Sequence, residues 1–266
     1  MKISFIGGGN MGEAILAAVL KQGLSTPEEV CVSDVNDARR RHLEQQYRVN
    51  AINNNRLAAE SGDVIVLAVK PQILPEVMAG IGGLFQSSQL VLSIIAGVAL
   101  PTLARGLKHS YLVRVMPNTP AQIGEGISVW TATPEVTTHQ KQRACAIIRV
   151  MGEEIYVAEE KYLDMATAVS GSGPAYFFYF VEALTAAALD IGLPPDNAVK
   201  LVMQTMLGSG HLLQKSEKSP AELRWMVTSP GGTTAAALDV LEKGRFAALI
   251  SDAVAAAYRR ARELGS

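Results

Sequence analysis

The sequence predicts an α/β chain: a doubly wound N-terminal sheet with crossover helices, followed by an all-helical remainder. Three observations carry this. Up to about residue 160, short runs rich in Val, Ile and Leu alternate with helix-length amphipathic stretches, the rhythm of a parallel sheet. After Glu159 the strand signals stop, and the Ala- and Leu-rich remainder is broken only at Gly192-Leu193-Pro194-Pro195, Ser219-Pro220 and Ser229-Pro230-Gly231-Gly232. Finally, 266 residues is near the size at which a single core stops growing. The expected domains are therefore 1–159 and 160–266, meeting at a cleft of the kind that binds ligands.

The strands are expected at Lys2–Ile6, Val30–Ser33, Val64–Ala68, Leu90–Ile94, Leu112–Met116 and Ile127–Thr131. The opening segment has one positive charge and then apolar residues, but glycines end it too early for a signal-peptide core, so it reads as the first strand. A helix runs from the glycines to about Gln22. Asn36 is placed to cap a helix over Asp37–Tyr47, and Pro101 suits the first turn of a short helix toward Leu107. Ala175 to Leu193 is apolar enough to suggest a membrane span, but Glu182 and Asp190 argue against one. Such a helix is buried on every side, in a large core or between subunits, and the subunit interface is favoured.

Charge and cysteine use narrow the function classes. The formal net charge is -1 and the basic residues are scattered, which disfavours a nucleic-acid surface. Two cysteines, Cys31 and Cys145, make neither a disulfide framework nor a zinc site, and no metal is expected. A reducing cytoplasm is the natural setting.

Gly7-Gly8-Gly9-Asn10-Met11-Gly12 fits G-x-G-x-x-G between the first strand and a helix. Gly7 permits the tight turn, Gly9 lets the backbone approach a pyrophosphate, and Gly12 brings helix against strand. The helix N-terminus, with Asn10 and Met11, offers N–H donors and partial positive charge to the anion. A glycine turn without a ligand is the plainer alternative, and the strand–turn–helix context disfavours it. A triphosphate loop is excluded because no Gly-Lys-Ser/Thr ending follows, so the expected ligand is a dinucleotide.

The second strand ends at Ser33-Asp34, 22 positions beyond Gly12, near where an acid receives the adenosine ribose hydroxyls. Asp34 therefore points to NADH, since a carboxylate 4 Å from a 2′-phosphate costs up to about 4 kcal/mol at an effective dielectric near 20. A basic neighbour would erase that. Arg39, Arg40 and Arg41 are candidates, although such a run is more often a solvated face, and the expected cofactor is NADPH or NADH.

Four further segments stand out: Ala68-Val69-Lys70-Pro71, Met116-Pro117-Asn118-Thr119-Pro120, Ser170-Gly171-Ser172-Gly173-Pro174 and Ser229-Pro230-Gly231-Gly232-Thr233-Thr234. The first two follow strands, where an open sheet presents its carboxyl ends to ligands. In the third, Pro174 at a helix start leaves unpaired N–H groups for a carboxylate, or else the segment is a kink between helices. The fourth could equally be a helix start capped by Thr.

On these residues the chain resembles pyrroline-5-carboxylate reductase, from the first strand to the last helix. The most specific stretch runs from Pro220-Ala221-Glu222-Leu223 through Thr234 to Leu238-Asp239-Val240-Leu241-Glu242, with Ile6 to Gly12, Ala68 to Pro71, Ile95-Ala96-Gly97 and Met116 to Pro120 matching in the dinucleotide half. The resemblance implies hydride addition to the imine carbon of 1-pyrroline-5-carboxylate, giving L-proline, without a metal. It implies Asn55, Ala68, Lys70, Pro71, Ala96 and Gly97 beside the cofactor, and Ser172, Gly173, Glu217, Gly231, Gly232, Thr233 and Thr234 beside the substrate. It also implies an interlocked homodimer. Asp34-Val35 departs from the Asn-Arg or Ser-Pro that many members carry, which puts an NADPH preference in doubt.

A cyclic imine is readily protonated, so an enzyme mainly aligns two reactants and supplies an orienting donor. Thr234 is assigned that donor; Lys70 is a weaker catalytic candidate, as a positive charge near nicotinamide or substrate carboxylate. His42, His109, His139 and His211 lie outside every motif, so an imidazole relay is not expected. A β-hydroxyacid or 6-phosphogluconate-type dehydrogenase shares the outline, but its catalytic lysine has no counterpart in Ala175 to Leu189. A cofactor-sensing regulator without turnover is the rival from another class.

Overall fold

A computed structural model describes residues 1–265; Ser266, the last residue of the expected helical domain, lies outside the described residues. Its sheet has eight strands: β1 (Ile3–Ile6), β2 (Val30–Ser33), β3 (Asn50–Ile52), β4 (Val64–Leu67), β5 (Leu90–Ser93), β6 (Leu112–Met116), β7 (Gly126–Ala132) and β8 (Gly152–Tyr156). The spatial order is β3-β2-β1-β4-β5-β6-β7-β8. Neighbours are parallel except β6 and β7, so the last two strands run against the first six. Strand order reverses between β1 and β4, which is where an open α/β sheet forms its ligand crevice.

The six strands read from the sequence are all present, two with the expected bounds and the others with one or both ends shifted by one residue. Two were missed. β3 is a three-residue edge strand bracketed by Asn50, Asn53 and Asn54, and β8, Gly-Glu-Glu-Ile-Tyr, has no apolar run because it lies at the opposite edge. The parallel rhythm holds for the first six strands, after which β7 turns back along β6 with Val113 opposite Ala132 and Met116 opposite Val129.

Both faces of the central strands are covered, so those strands read as continuous hydrophobic runs. On β4, Val64 and Val66 enter the cluster containing Phe5, Leu16 and Val19, while Ile65 and Leu67 enter the other, with Ile6, Ile81 and Leu103. The first cluster is closed by α1 (Asn10–Lys21), α2 (Asp37–Tyr47) and later α6 (Thr138–Arg149); the second by α3 (Asn55–Ser61), α4 (Leu74–Ile81) and α5 (Leu100–Leu107). Asn36 caps α2 by accepting from Arg39 N at 3.2 Å, and Pro101 sits in the first turn of α5, both as the sequence indicates.

Beyond β8 the chain is helical: α7 (Lys161–Ala166), a π-helical turn Thr167–Gly171, then α8 (Gly173–Asp190), α9 (Pro195–Lys215), α10 (Pro220–Met226), α11 (Thr233–Lys243) and α12 (Phe246–Gly265). By internal contacts the chain gathers into two compact units, Met1–Ser172 joined by the chain from Ala257 onward, and Gly173–Ala256. Within the first unit, the last turn of α12 packs on the loop after β5. A Cβ on Gly97, whose φ is +74°, would lie 2.8 Å from Leu264 Cβ.

The second unit has little core of its own, with Ala198 and Val202 its buried apolar side chains. Phe177, Phe178, Tyr179 and Phe180 of α8 are half or more exposed, so this helix does not lie in a large core of its own chain. Among the described residues, no helix is long and apolar enough to cross a membrane.

Candidate active site

The glycine-rich loop leaves β1 and is pinned to the neighbouring strand by Gly7 N donating to Ser33 O at 2.8 Å. Gly7 has φ +99°, and a Cβ there would meet Ala68 O at 2.7 Å, so only glycine fits. A Cβ on Gly12 would meet Gly7 O at 2.6 Å, which is the close approach of α1 to the turn. Gly9 differs, because nothing lies within 4 Å of its would-be Cβ. Its lack of a side chain serves no internal packing and leaves an open approach to the N-terminus of α1, which no side chain caps. Turn, open cradle and uncapped helix start together fit a pyrophosphate.

Across the β1/β4 crevice lies a cleft of ≈ 280 Å³ lined by Met11, Ala68, Val69, Ile94, Ile95, Ala96, Met116, Pro117, Asn118, Thr119 and Gly171. It brings together five of the expected cofactor residues, Met11, Ala68, Val69, Ala96 and Asn118, from four separate loops. Ile94 and Thr119 join them; their signal was simply position after a strand. Asn118 is half committed, its Oδ1 accepting from Ile127 N at 2.9 Å. Ser33 donates to Asn55 Oδ1 at 2.7 Å, tying β2 to the start of α3 and fixing the Asn55 amide. Lys70 and Pro71 are exposed and lie outside the lining, at the start of the single turn Pro71–Ile73.

The side of the loop that faces the end of β2 is held by charge. Gly8 N donates to Asp34 Oδ2 at 2.8 Å, and Asn36 N to Asp34 Oδ1 at 2.9 Å. Arg39 bonds to both Gly8 O and the Glu13 carboxylate. His42 and Tyr47 also reach Glu13, at 2.8 and 2.9 Å. Burial alone would raise the Glu13 carboxyl, but the bonds from His42, Arg39 and Tyr47 outweigh it and hold the group below the usual carboxylate range. The arginine run is therefore not the solvated face that its sequence suggests; only Arg41, bound to Asp37 at 2.7 Å, is largely exposed.

The segments expected to meet substrate divide between the units. Ser172 closes the first unit, and its N–H is not free but donates to Thr167 O at 2.8 Å, because it caps the π turn Thr167–Gly171 that runs on from α7. The Ser172 N–H is thus taken up by a helical bulge, Pro174 does lie in the first turn of α8, and bulges of this kind favour functional sites. Gly173 opens α8 in the second unit, where Glu217 is exposed. Gly231 has φ +69°, Gly232 takes the cap position of α11, and no side chain caps that helix. The Thr cap is corrected accordingly: Thr233 and Thr234 fall inside the first turn of α11, with Thr234 partly buried.

Among the described residues, no histidine lines this cleft; His109 is buried and bonds to Gln89 O at 3.0 Å. Among the described residues, no group of His, Cys, Asp and Glu is arranged to hold a metal ion.

Comparison with known proteins decides the family. A pyrroline-5-carboxylate reductase of Synechocystis is 43% identical over 265 residues, covering 100% of this chain and 98% of the relative. The chain belongs to the pyrroline-5-carboxylate reductase family. A pyrroline-5-carboxylate reductase of Coxiella burnetii superposes with a TM-score of 0.90 at 37% identity, covering 100% of this chain and 98% of that one. The Plasmodium falciparum pyrroline carboxylate reductase, solved with NADP bound, gives 0.90 at 32% identity, again covering 100% and 98%. Two family models match: pyrroline-5-carboxylate reductase dimerisation over residues 160–264, and NADP oxidoreductase, coenzyme F420-dependent, over residues 2–97. The uncapped α11 and the exposed α8 both fall in the region matched as the reductase's dimerisation domain.

Proposed function

We propose that this protein reduces 1-pyrroline-5-carboxylate to L-proline with NADPH or NADH. The observation that carries the reading is the division of labour among Gly7, Gly9 and Gly12, in which two glycines are forced by close backbone and the third opens onto an uncapped helix. When bound, the dinucleotide supplies the hydride that adds to the imine carbon, and a proton completes the amine, so C=N becomes CH–NH. The chain's part is to hold and align. The N–H groups at the start of α1 take the pyrophosphate, the apolar walls Ile94, Ile95 and Met116 keep water from the crevice, and Asn118 and Asn55 offer amide donors at its edges.

On the substrate side, Gly231, Gly232 and Thr233 at the start of α11 offer backbone N–H groups to the carboxylate, and Ser172, Gly173 and Glu217 are further substrate contacts that the family resemblance implies. Thr234 orients the imine nitrogen through its hydroxyl, which at neutral pH is a donor and not a strong acid. Lys70, next in the chain to Val69 of the cleft lining, adds a positive charge for the substrate carboxylate. Two copies pair through their helical halves, 160–266, in an interlocked dimer that covers α8, while 1–159 carries the cofactor. The setting is the cytoplasm.

The test follows absorbance loss from NADH and from NADPH with the imine present, for wild type and Thr234→Ala. Rapid loss by wild type, with a fall of at least about tenfold in kcat and unchanged cofactor affinity in the variant, supports the reading. Cofactor binding without turnover by wild type would leave a dinucleotide sensor instead.

A further inference from the structure

The end of β2 goes further and selects between the two cofactors, on the reading that the glycine loop holds a dinucleotide. We propose that Asp34 is a specificity-determining residue that makes this protein prefer NADH, because a fixed carboxylate, without an uncommitted arginine beside it, meets the adenosine ribose.

Asp34 cannot swing aside cheaply. Its two oxygens each accept a backbone N–H, from Gly8 at 2.8 Å and Asn36 at 2.9 Å, so rotation would strand both donors. An ionised carboxylate has about four acceptor sites, leaving about two for further donors. Ribose hydroxyls can donate to them. A 2′-phosphate has almost no proton to give at neutral pH and brings a charge of about −1.5 to −2, so it is repelled by the same group.

The neighbouring cations do not offset this. Arg39 is bound to Gly8 O and Glu13, and Glu13 is itself gripped by His42 and Tyr47. Arg40 donates to Asp34 O at 2.7 Å and Asp37 Oδ1 at 3.0 Å, and Arg41 is paired with Asp37. The three guanidinium groups are thus committed to two carboxylates, Glu13 and Asp37, and to the Gly8 and Asp34 carbonyls, and with the Asp34 carboxylate counted the strand end carries no surplus positive charge for a phosphate. Recruiting Arg39 would cost both its loop contact and its partner.

The test is the affinity of the purified protein for NADH and NADPH, read by nicotinamide fluorescence and by calorimetry with the oxidised forms, no imine being present. Wild type should bind NADH at least about tenfold more tightly. Asp34→Ser should reduce that ratio by more than about tenfold, Asp34→Asn should do so with its single carboxamide oxygen still accepting from one of the two backbone donors, and Glu13→Gln should strengthen NADPH alone by releasing Arg39. Equal or tighter NADPH binding by wild type overturns the proposal while leaving the dinucleotide site intact, as does a ratio unchanged in both Asp34 variants. Binding of neither cofactor overturns the site and the proposal together.

Discussion

Arg114 and Glu160 meet at 2.8 Å, joining β6 to the residue that precedes α7, and the other guanidinium nitrogen reaches Asp164 at 2.8 Å. The arginine side chain is 4% exposed, whereas its partners retain 26% and 22%. Glu160 also accepts from Leu100 N at 2.8 Å, so one buried cation organises three elements. Arg114→Leu would leave two half-shielded carboxylates facing each other. We expect it to cost about 2–4 kcal/mol, read as a lower urea midpoint with an unchanged slope. A midpoint equal to wild type would mean that the network contributes nothing net.

Gly9 and Gly12 separate binding from stability. Gly12→Ala forces a Cβ against Gly7 O and should destabilise by about 1–3 kcal/mol as well as weaken the cofactor. Gly9→Ala meets open space, so its urea curve should match wild type while NADH affinity falls by more than about tenfold. Retained affinity in a well-folded Gly9→Ala protein would move the pyrophosphate elsewhere.

His109 gives the fold an acid limit. Burial between Phe85 and Tyr111 lowers its pKa from the ordinary 6.5, with the bond to Gln89 O opposing only in part. The unfolded chain therefore takes up this proton first as pH falls. The stability due to His109 is complete above about pH 6.5 and is lost below it, until the folded state also protonates. Unfolding free energies at pH 7.5 and 5.5 should differ more for wild type than for His109→Gln. Equal differences would assign the acid loss to other groups.

The exposed rings of α8 predict association. Wild type should sediment as a dimer, and Phe178→Glu with Tyr179→Glu should weaken that dimer by more than about tenfold, since interface cores tolerate charge poorly. An unchanged dimer in the double variant would place the interface on another face.

The sheet and the shape of the glycine-rich loop were legible because they rest on local rules: hydrophobic runs for β1, β2, β4, β5 and β6, and steric needs at Gly7 and Gly12. β3 and β8 were not, since edge strands bury too little to require apolar runs. Ser33 and Asn55 illustrate a different limit. Their bond spans 22 positions, and neither residue type alone announces the other. The arginine run was misread for a related reason, as its acceptors Gly8 and Glu13 come from an earlier segment of chain. Likewise, nothing in Ser170 to Pro174 distinguishes a π turn from a kink, because one additional residue per turn leaves the composition unaltered.

Because the stretch from Ala257 onward belongs to the first compact unit, that unit is discontinuous along the chain. Synthesis runs from the N-terminus, and domains generally fold as they emerge. The sheet can therefore assemble early, but Gly97 waits for Leu264, which the ribosome adds only after translating the entire intervening helical half. Covering of the β5 loop is thus a late event in the life of the nascent chain, and a transcript truncated within α12 would yield a sheet whose β5 loop is never covered.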